Sequence, residues 1–404
     1  GVAVGLVSLV APARGRWGAA VVGALLTPLA SPVAGAFLAL AALAWAAPTW
    51  RSWRDPLAVG DRRGRGPVLA LAALGPIVVI AVLFPSGGTF PFALGGLLAG
   101  LATTVGLVLA VPPRHRAIRA GAAMATLALI AAFVLPTPMG ANAARLPMFF
   151  ALPIVVAIVA PRRPVVATIG GVLLVVWAWQ PAMDAVLAAP ADPSVDAAFH
   201  APLVAALRVE GHGEARVEIV PTARHWEVVH VAPHVPLARG WERQLDRRYN
   251  PVFYGDDLDA LSYRGWLEAN AVRFVALPDA ELDPSGEGEA ELIELGLPYL
   301  RPVWDDEHWQ LFEVIGGVDL VAGPAELVEL TADRVVLRVT EPGVVTVRVR
   351  HGPHWTASGG ACVAADDDGW IVVHAAAAGR VELTQGIDPA APLTGSPGTC
   401  DPGP

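Results

Sequence analysis

Residues 164–180 read PVVATIGGVLLVVWAWQ, an uncharged apolar run that ends at Pro181. A helix needs about 20 apolar residues to cross a bilayer, or about 17 at the short limit, so this run can span. It is also the last of its kind. Before it the chain is a succession of apolar runs, and after it the chain is acidic and alternates short polar and apolar patterns. The split shows in the charges. Every basic residue is Arg, with no Lys among the 28. Residues 1–182 hold 13 arginines against two acids, Asp55 and Asp61, a net of +11, while the remainder holds 15 against 35, a net of −20. An apolar fraction of 54% and a mean hydropathy of +0.51 exceed what a soluble chain of 404 residues carries.

Working back from 164, apolar runs fall at 146–160, 119–136, 92–111, 67–84, 33–49, 17–30 and 1–12. The runs 67–84, 92–111, 119–136 and 164–180 reach spanning length as they stand. Ser31-Pro32 splits 17–30 from 33–49, because proline lacks a backbone donor and restricts the residue before it, which predicts a helical hairpin or re-entrant pair. The first run, which opens the chain without Met, reads as a truncated crossing of a longer protein. The connections alternate. Arg14 and Arg16, then Arg51 to Arg65, then Arg114, Arg116 and Arg119, then Arg162 and Arg163 occupy every second one, whereas Ser31-Pro32, PSGGTFP at 85–91 and PTPMGANAAR at 136–145 share one arginine, Arg145. By the positive-inside rule the arginine-rich loops are cytoplasmic and everything after Pro181 is extracytoplasmic. The fold expected is a polytopic α-helical membrane bundle over 1–181, of about seven to eight segments in the plasma membrane. An extracytoplasmic small α/β domain over 182–316, a β-sandwich over 317–388 and a flexible tail over 389–404 follow. No crossing carries an ionisable residue at its centre, which counts against a transporter. The acidic balance and lack of a basic patch exclude a nucleic-acid partner.

In the second half, 182–198 reads as a linker or short helix and RVEIV at 216–220 as a strand. A helix over 257–269, a buried strand at 272–278, an acidic helix over 287–295 and a hairpin over 301–314 complete the α/β order. After Gly316, alternating strands at about 326–331, 334–340, 344–350, 361–364, 370–375 and 379–384 make the sandwich. Cys362 and Cys400, the only cysteines, pair in a disulfide if the compartment is oxidising, the other reading being two free thiols.

The densest chemistry is PTARHWEVVHVAPHVPLARGWERQLDRRYNPVFY at 221–254. Arg239, Glu242, Arg243 and Asp246 have the spacing of a self-paired helical turn. Trp226, Trp241 and Tyr249 suit a membrane interface or a sugar face. One reading makes the block a junction on the membrane surface. In the other, Arg239 and Arg243 bind a phosphate or diphosphate through their planar guanidinium forks. Arg145 is either an interfacial arginine or a clamp on a lipid phosphate. His225, His230 and His234 are interrupted by prolines and complete no metal set. Asp366 to Asp368 lacks calcium-loop spacing and reads as a solvated β-turn, and no cofactor motif is present, so a divalent cation is compatible with the chain but not indicated by it.

The stretches 25–38, 83–92, 140–153, 225–254, 263–283 (YRGWLEANAVRFVALPDAELD) and 296–304 (GLPYLRPVW) together resemble the C-terminal portion of GT-C-like multi-spanning membrane glycosyltransferases. The likeness is to an actinobacterial-type branch, sometimes labelled 6-pyruvoyl-tetrahydropterin synthase-related. The resemblance implies sugar transfer at the outer face from a polyprenyl-phosphate-linked donor to an envelope glycan acceptor, with a carboxylate removing the acceptor proton. That acid is expected in a first outer loop, and no outer loop before Pro181 holds one, so either the base lies in an upstream segment or this branch does not catalyse transfer, and no catalytic residue is assigned. A non-enzymatic envelope glycan-binding or assembly protein is the alternative, with a transporter third.

Overall fold

A computed structural model describes residues 1–47, 62–85, 87–211, 215–386 and 400, and divides into two compact units, Gly1–Leu187 and Ala188–Pro404. The arginine loop over 51–61 and all of the expected tail except Cys400 lie outside the described residues.

The first unit is helical: α1 Val2–Val10, α2 Trp17–Ala30, α3 Pro32–Ala46, α4 Arg62–Leu83, α5 Leu94–Ala110, α6 Arg116–Val134, α7 Arg145–Ile154 and α8 Pro164–Ala188. Ser31-Pro32 does separate two helices. Ser31 is extended, its hydroxyl accepts from the Ala34 amide at 3.3 Å, and Pro32 takes the first helical position, where its missing donor costs nothing. The inner packing uses small residues: Ala20, Ala24, Ala39, Ala42, Ala70 and Ala73 form one core. A side chain at Gly66 would meet the Ala42 carbonyl at 2.7 Å, so the α3 and α4 backbones approach as closely as glycine allows. The large side chains face outward instead, with Leu71 69%, Leu109 73% and Val165 69% exposed, the inverse of a water-soluble fold.

Among the described residues four helices are long and apolar enough to cross a membrane: Gly64–Leu83, Arg116–Val134, Gly140–Val159 and Pro164–Ala191. Two expectations change here. The 92–111 run forms only the 17-residue α5, because Pro91 and the extended Ala93 delay its start. The 146–160 run gains a turn from what was read as a loop. Helical geometry begins at Gly140, whose left-handed φ of 38° and tight approach to the Phe90 carbonyl exclude a side chain, and continues through α7 into a π-helical turn at Val155–Val159. The 182–198 stretch is also divided, since α8 runs through Pro181 to Ala188.

The second unit begins with α9, Ala197–Glu210, capped by Asp196. A mixed sheet follows, in the order β1 Arg216–Ile219, β2 Val272–Pro278, β4 Trp309–Val314 and β3 Leu300–Asp305, with β1 and β2 parallel and the other pairs antiparallel. Between β1 and β2 lie the one-turn α10 Glu227–His230, α11 Arg243–Tyr249 and α12 Ala260–Ala269, and α13 Pro284–Glu294 comes after β2. Both faces of the sheet are covered. Phe199, Leu203 and Leu207 of α9 pack on Val217, Ile219, Phe274 and Trp309, while Tyr263, Trp266, Leu267 and Ile293 of α12 and α13 pack on Val220, Val275 and Leu277. The polar-apolar alternation at 216–220 therefore does not mark a solvent face: Glu218 is fully buried.

Among the described residues eight strands follow. One sheet orders β10 Cys362–Ala365, β11 Trp370–Ala375, β8 Gly343–Arg350 and β5 Val321–Ala322; the other orders β6 Ala325–Leu330, β7 Arg334–Val339, β12 Gly379–Gln385 and β9 Trp355–Ala357. Val335, Leu337, Val345, Val347, Ile371, Val373 and Leu383 fill the space between them. Cys362 and Cys400 form a disulfide, and the Cys400 amide donates to the Val363 carbonyl at 2.9 Å.

Candidate functional site

Two features carry chemistry, one in each unit. In the helical unit a groove of about 1120 Å3, its open side included, runs between α1 and α3 on one wall and α6 and α7 on the other. Leu6, Leu38, Trp45, Ile118, Phe150 and Ile154 are among its lining residues. Among its described lining residues the one hydroxyl, Thr104, donates to the Gly100 carbonyl at 3.0 Å and accepts from Thr126 at 2.9 Å, so it is not left unpaired. Such a surface fits hydrocarbon and can neither donate nor accept a proton. Leu146 and Pro147 line one end, and the residue before them is Arg145, which is exposed and has no partner among the described residues.

In the second unit the residues of the 221–254 block converge with others far along the chain. Arg239 is 8% exposed. It grips Asp246 with two bonds, Nε at 3.2 Å and Nη2 at 2.8 Å, donates to Glu289 at 3.3 Å and Ser285 at 3.0 Å, and lies 3.7 Å from Glu218 and 3.9 Å from the centre of the Phe253 ring. Arg243 donates to both oxygens of Asp283 and to the Tyr254 hydroxyl. Asp246 also accepts from Tyr254 and Asn250, and Asp283 caps α13 by accepting from the Ser285 amide at 2.8 Å. The expected self-paired turn is corrected by this geometry. Gly240 breaks the helix before Arg243, Arg239 reaches Asp246 across seven residues, and Arg243 turns away to Asp283. With its guanidinium committed to carboxylates of its own fold, Arg239 has no free fork to offer a phosphate.

His225 sits between Glu227, at 3.1 Å, and Asp283, at 3.6 Å, on backbone with φ of 56°, a conformation few residues other than glycine adopt. Burial alone would lower its pKa, but the two carboxylates raise it to about 9. Burial pushes Asp246 and Asp283 up; hydrogen bonds from Arg239, and from His225 and Arg243, more than offset this and hold both below the usual carboxylate range. Glu218 and Glu289 go the other way, raised by burial and, for Glu218, by the neighbouring Glu289. The crowding accounts for the direction of the division: the two fully buried carboxyls, Glu218 and Glu289, face the cation Arg239, which Asp246 already grips with two bonds. Neither Glu218 oxygen has a hydrogen-bond partner, the state a buried carboxyl tolerates best when neutral.

The remaining block residues scatter. Glu242 is the exposed N-cap of α11 and makes no side-chain cap, and Trp241 is 60% exposed. Trp226 stacks on His230, which stacks in turn on the buried His200. Tyr249 lies between Arg248 and Arg350. His234 meets Arg208 and His230 meets the Val195 carbonyl, so the three histidines do not converge. Among the described residues no group of three His, Cys, Asp or Glu side chains could hold a metal ion. Sequence reading missed Glu218, Asp283 and Glu289. Only Asp283 carried a local signal, Asp-Pro-Ser ahead of a helical run, which marks an N-cap. No protein-family model, curated protein or solved structure matches the chain.

Proposed function

We propose that the chain is a multi-pass membrane protein with its α/β and sandwich layers on the extracytoplasmic face. In this reading it is a GT-C-like glycosyltransferase that draws on a polyprenyl-phosphate-linked sugar to build an envelope glycan. The observation that carries the proposal is the apolar groove of the helical unit, whose size and apolar lining suit a long hydrocarbon chain, with Arg145 beside its end residues Leu146 and Pro147 to meet a phosphate. The alternation of arginine-rich and arginine-poor connections supports the orientation. The groove supplies binding and no proton transfer, so the base is not assigned to any residue. One observation favours the alternative of a non-enzymatic envelope glycan-binding or assembly protein: Arg239 and Arg243 are held by their own carboxylates.

The experiment is incubation of the full-length protein, in membranes, with radiolabelled polyprenyl-phosphate hexoses and pentoses and an envelope glycan acceptor. The glycosyltransferase reading expects label in the glycan and its loss when Ala125→Trp fills the groove. Absence of transfer from every donor, with glycan still retained by the protein, would establish the binding reading instead.

A further inference from the structure

The seam between the mixed sheet and the sandwich gathers three arginines that meet no carboxylate. Arg224, Arg264, Arg301, Arg334 and Arg338 each do, as does the cluster around Arg239. Arg216 at the start of β1 and Arg348 and Arg350 at the end of β8 do not. Each guanidinium carries five N–H donors. Arg216 gives one to the Asn270 carbonyl and one to the Arg348 carbonyl, Arg348 gives one to Asp319 and Arg350 one to Asp368, all of them backbone oxygens. Among the described residues no carboxylate oxygen comes within 4.0 Å of any of the three.

These cations are also close to one another. Arg350 lies flat on the Trp370 ring at 3.6 Å from its centre, and Arg216 approaches the same ring at 5.8 Å. The Tyr249 ring centre also lies 5.0 Å from Arg350. Arg216 has its pKa pushed down to about 10 by burial and by the charges of Arg350 and Arg348. The carboxylates of Asp366 and Asp368 face Arg350 at longer range and offset part of its charge, but neither carboxylate bonds to it. The adjacent His351 has a buried Nε2 with no partner. Aromatic faces and main-chain oxygens fix the three guanidinium groups in place and leave most of their donors open. All three side chains remain partly accessible.

We propose that this seam is a binding site for an oxyanion, a phosphate or carboxylate group, recognised by Arg216, Arg348 and Arg350 together. The charge repulsion among the three is what such a ligand would relieve, and their unengaged N–H groups are the donors it would accept from. The inference stands apart from the lipid groove and does not depend on any activity of the helical unit.

The test is calorimetric titration of the full-length protein in detergent with pyrophosphate and, separately, with citrate, each against sodium chloride of matched ionic strength. Saturable binding of at least one is expected, and the stronger of the two identifies the ligand class as phosphate or carboxylate. Arg350→Gln and Arg216→Gln should each weaken it by about tenfold or more, the loss of one charge-assisted contact. Should Arg216→Gln fail to fold, Arg348→Gln, whose side chain bonds only to a surface carbonyl, serves in its place. Heat effects no larger than those of chloride, or affinity unchanged in the folded variants, would overturn the proposal.

Discussion

Replacing Arg239 by methionine keeps most of the side-chain volume and removes the one cation that Asp246, Glu289 and Glu218 share. Asp246 would lose both of its guanidinium bonds and Glu289 its one, and each carboxylate would remain at no more than 7% exposure. Breaking a buried pair from one side costs about 3–5 kcal/mol, because the partner charge is left without compensation. Loss of the contact over the Phe253 ring, 3.9 Å from its centre, adds to the same sign. Against a domain stability of about 5–15 kcal/mol this is a large fraction. Peptide-resolved hydrogen exchange on the full-length protein can localise the effect. Amides of β1, β2 and α11 should open about a hundred- to a few-thousand-fold more often in Arg239→Met, while those of the sandwich change little. The defect should shrink as pH falls, because Asp246 can then take up a proton and Glu289, raised to about 7, already holds one, and the double variant Arg239→Met/Asp246→Asn should be less destabilised than the single one. A change under about 1 kcal/mol, the size found for exposed pairs, would refute the claim that this cluster is a buried structural unit.

Other consequences follow from the same geometry. Glu289 is raised to about 7, so between pH 4.5 and 7 the unfolded chain releases a proton that the folded chain keeps, and stability falls as pH rises through that window, by at most about 1.4 kcal/mol per pH unit. His225, raised to about 9, adds stability that is complete below pH 6.5 and lost as pH rises through 9; Glu289→Gln should reduce the first decline in a pH series of melting curves, to which the raised Glu218 also contributes, and leave the second. Opening the Cys362–Cys400 disulfide, which closes a separation of 38 residues, should cost the sandwich about 2–4 kcal/mol in thermal unfolding with and without reductant. Leu267→Ala, at a side chain with no exposure, should cost the α/β layer about 2–5 kcal/mol. Gly66→Leu should lower the yield of folded protein in detergent, since its side chain would strike the Ala42 carbonyl and Ala46.

What the sequence made legible was local. Ser31-Pro32 announced a break because proline's geometry acts on its neighbours, and Asp-Asp-Asp-Gly at 366–369 announced a turn because Asp366 accepts from the Asp368 and Trp370 amides. Helix α9 was not read, although Asp196 caps it and Phe199, Leu203 and Leu207 repeat at helical spacing; the Pro/Asp/Ala run before it drew attention to a linker. Strands β5 and β9 are two and three residues long, too short to show alternation. The Arg239 cluster was hidden for a different reason. Glu289 is 50 residues from Arg239 and Asp283 is 40 from Arg243, and only the pairing of β1 with β2 brings them together. A buried Glu218 in an alternating strand looks the same in sequence as an exposed one.

Whether the apolar groove holds a lipid chain can be read directly by photo-crosslinking. Full-length protein in membranes would be irradiated with a polyprenyl phosphate carrying a diazirine along its chain, and the modified residues mapped by mass spectrometry. The account predicts labels on groove residues such as Leu38, Ile118 and Phe150, reduced in Ala125→Trp. Labels confined to the outward faces, at Leu71, Leu109 and Val165, and unaffected by that substitution, would contradict it.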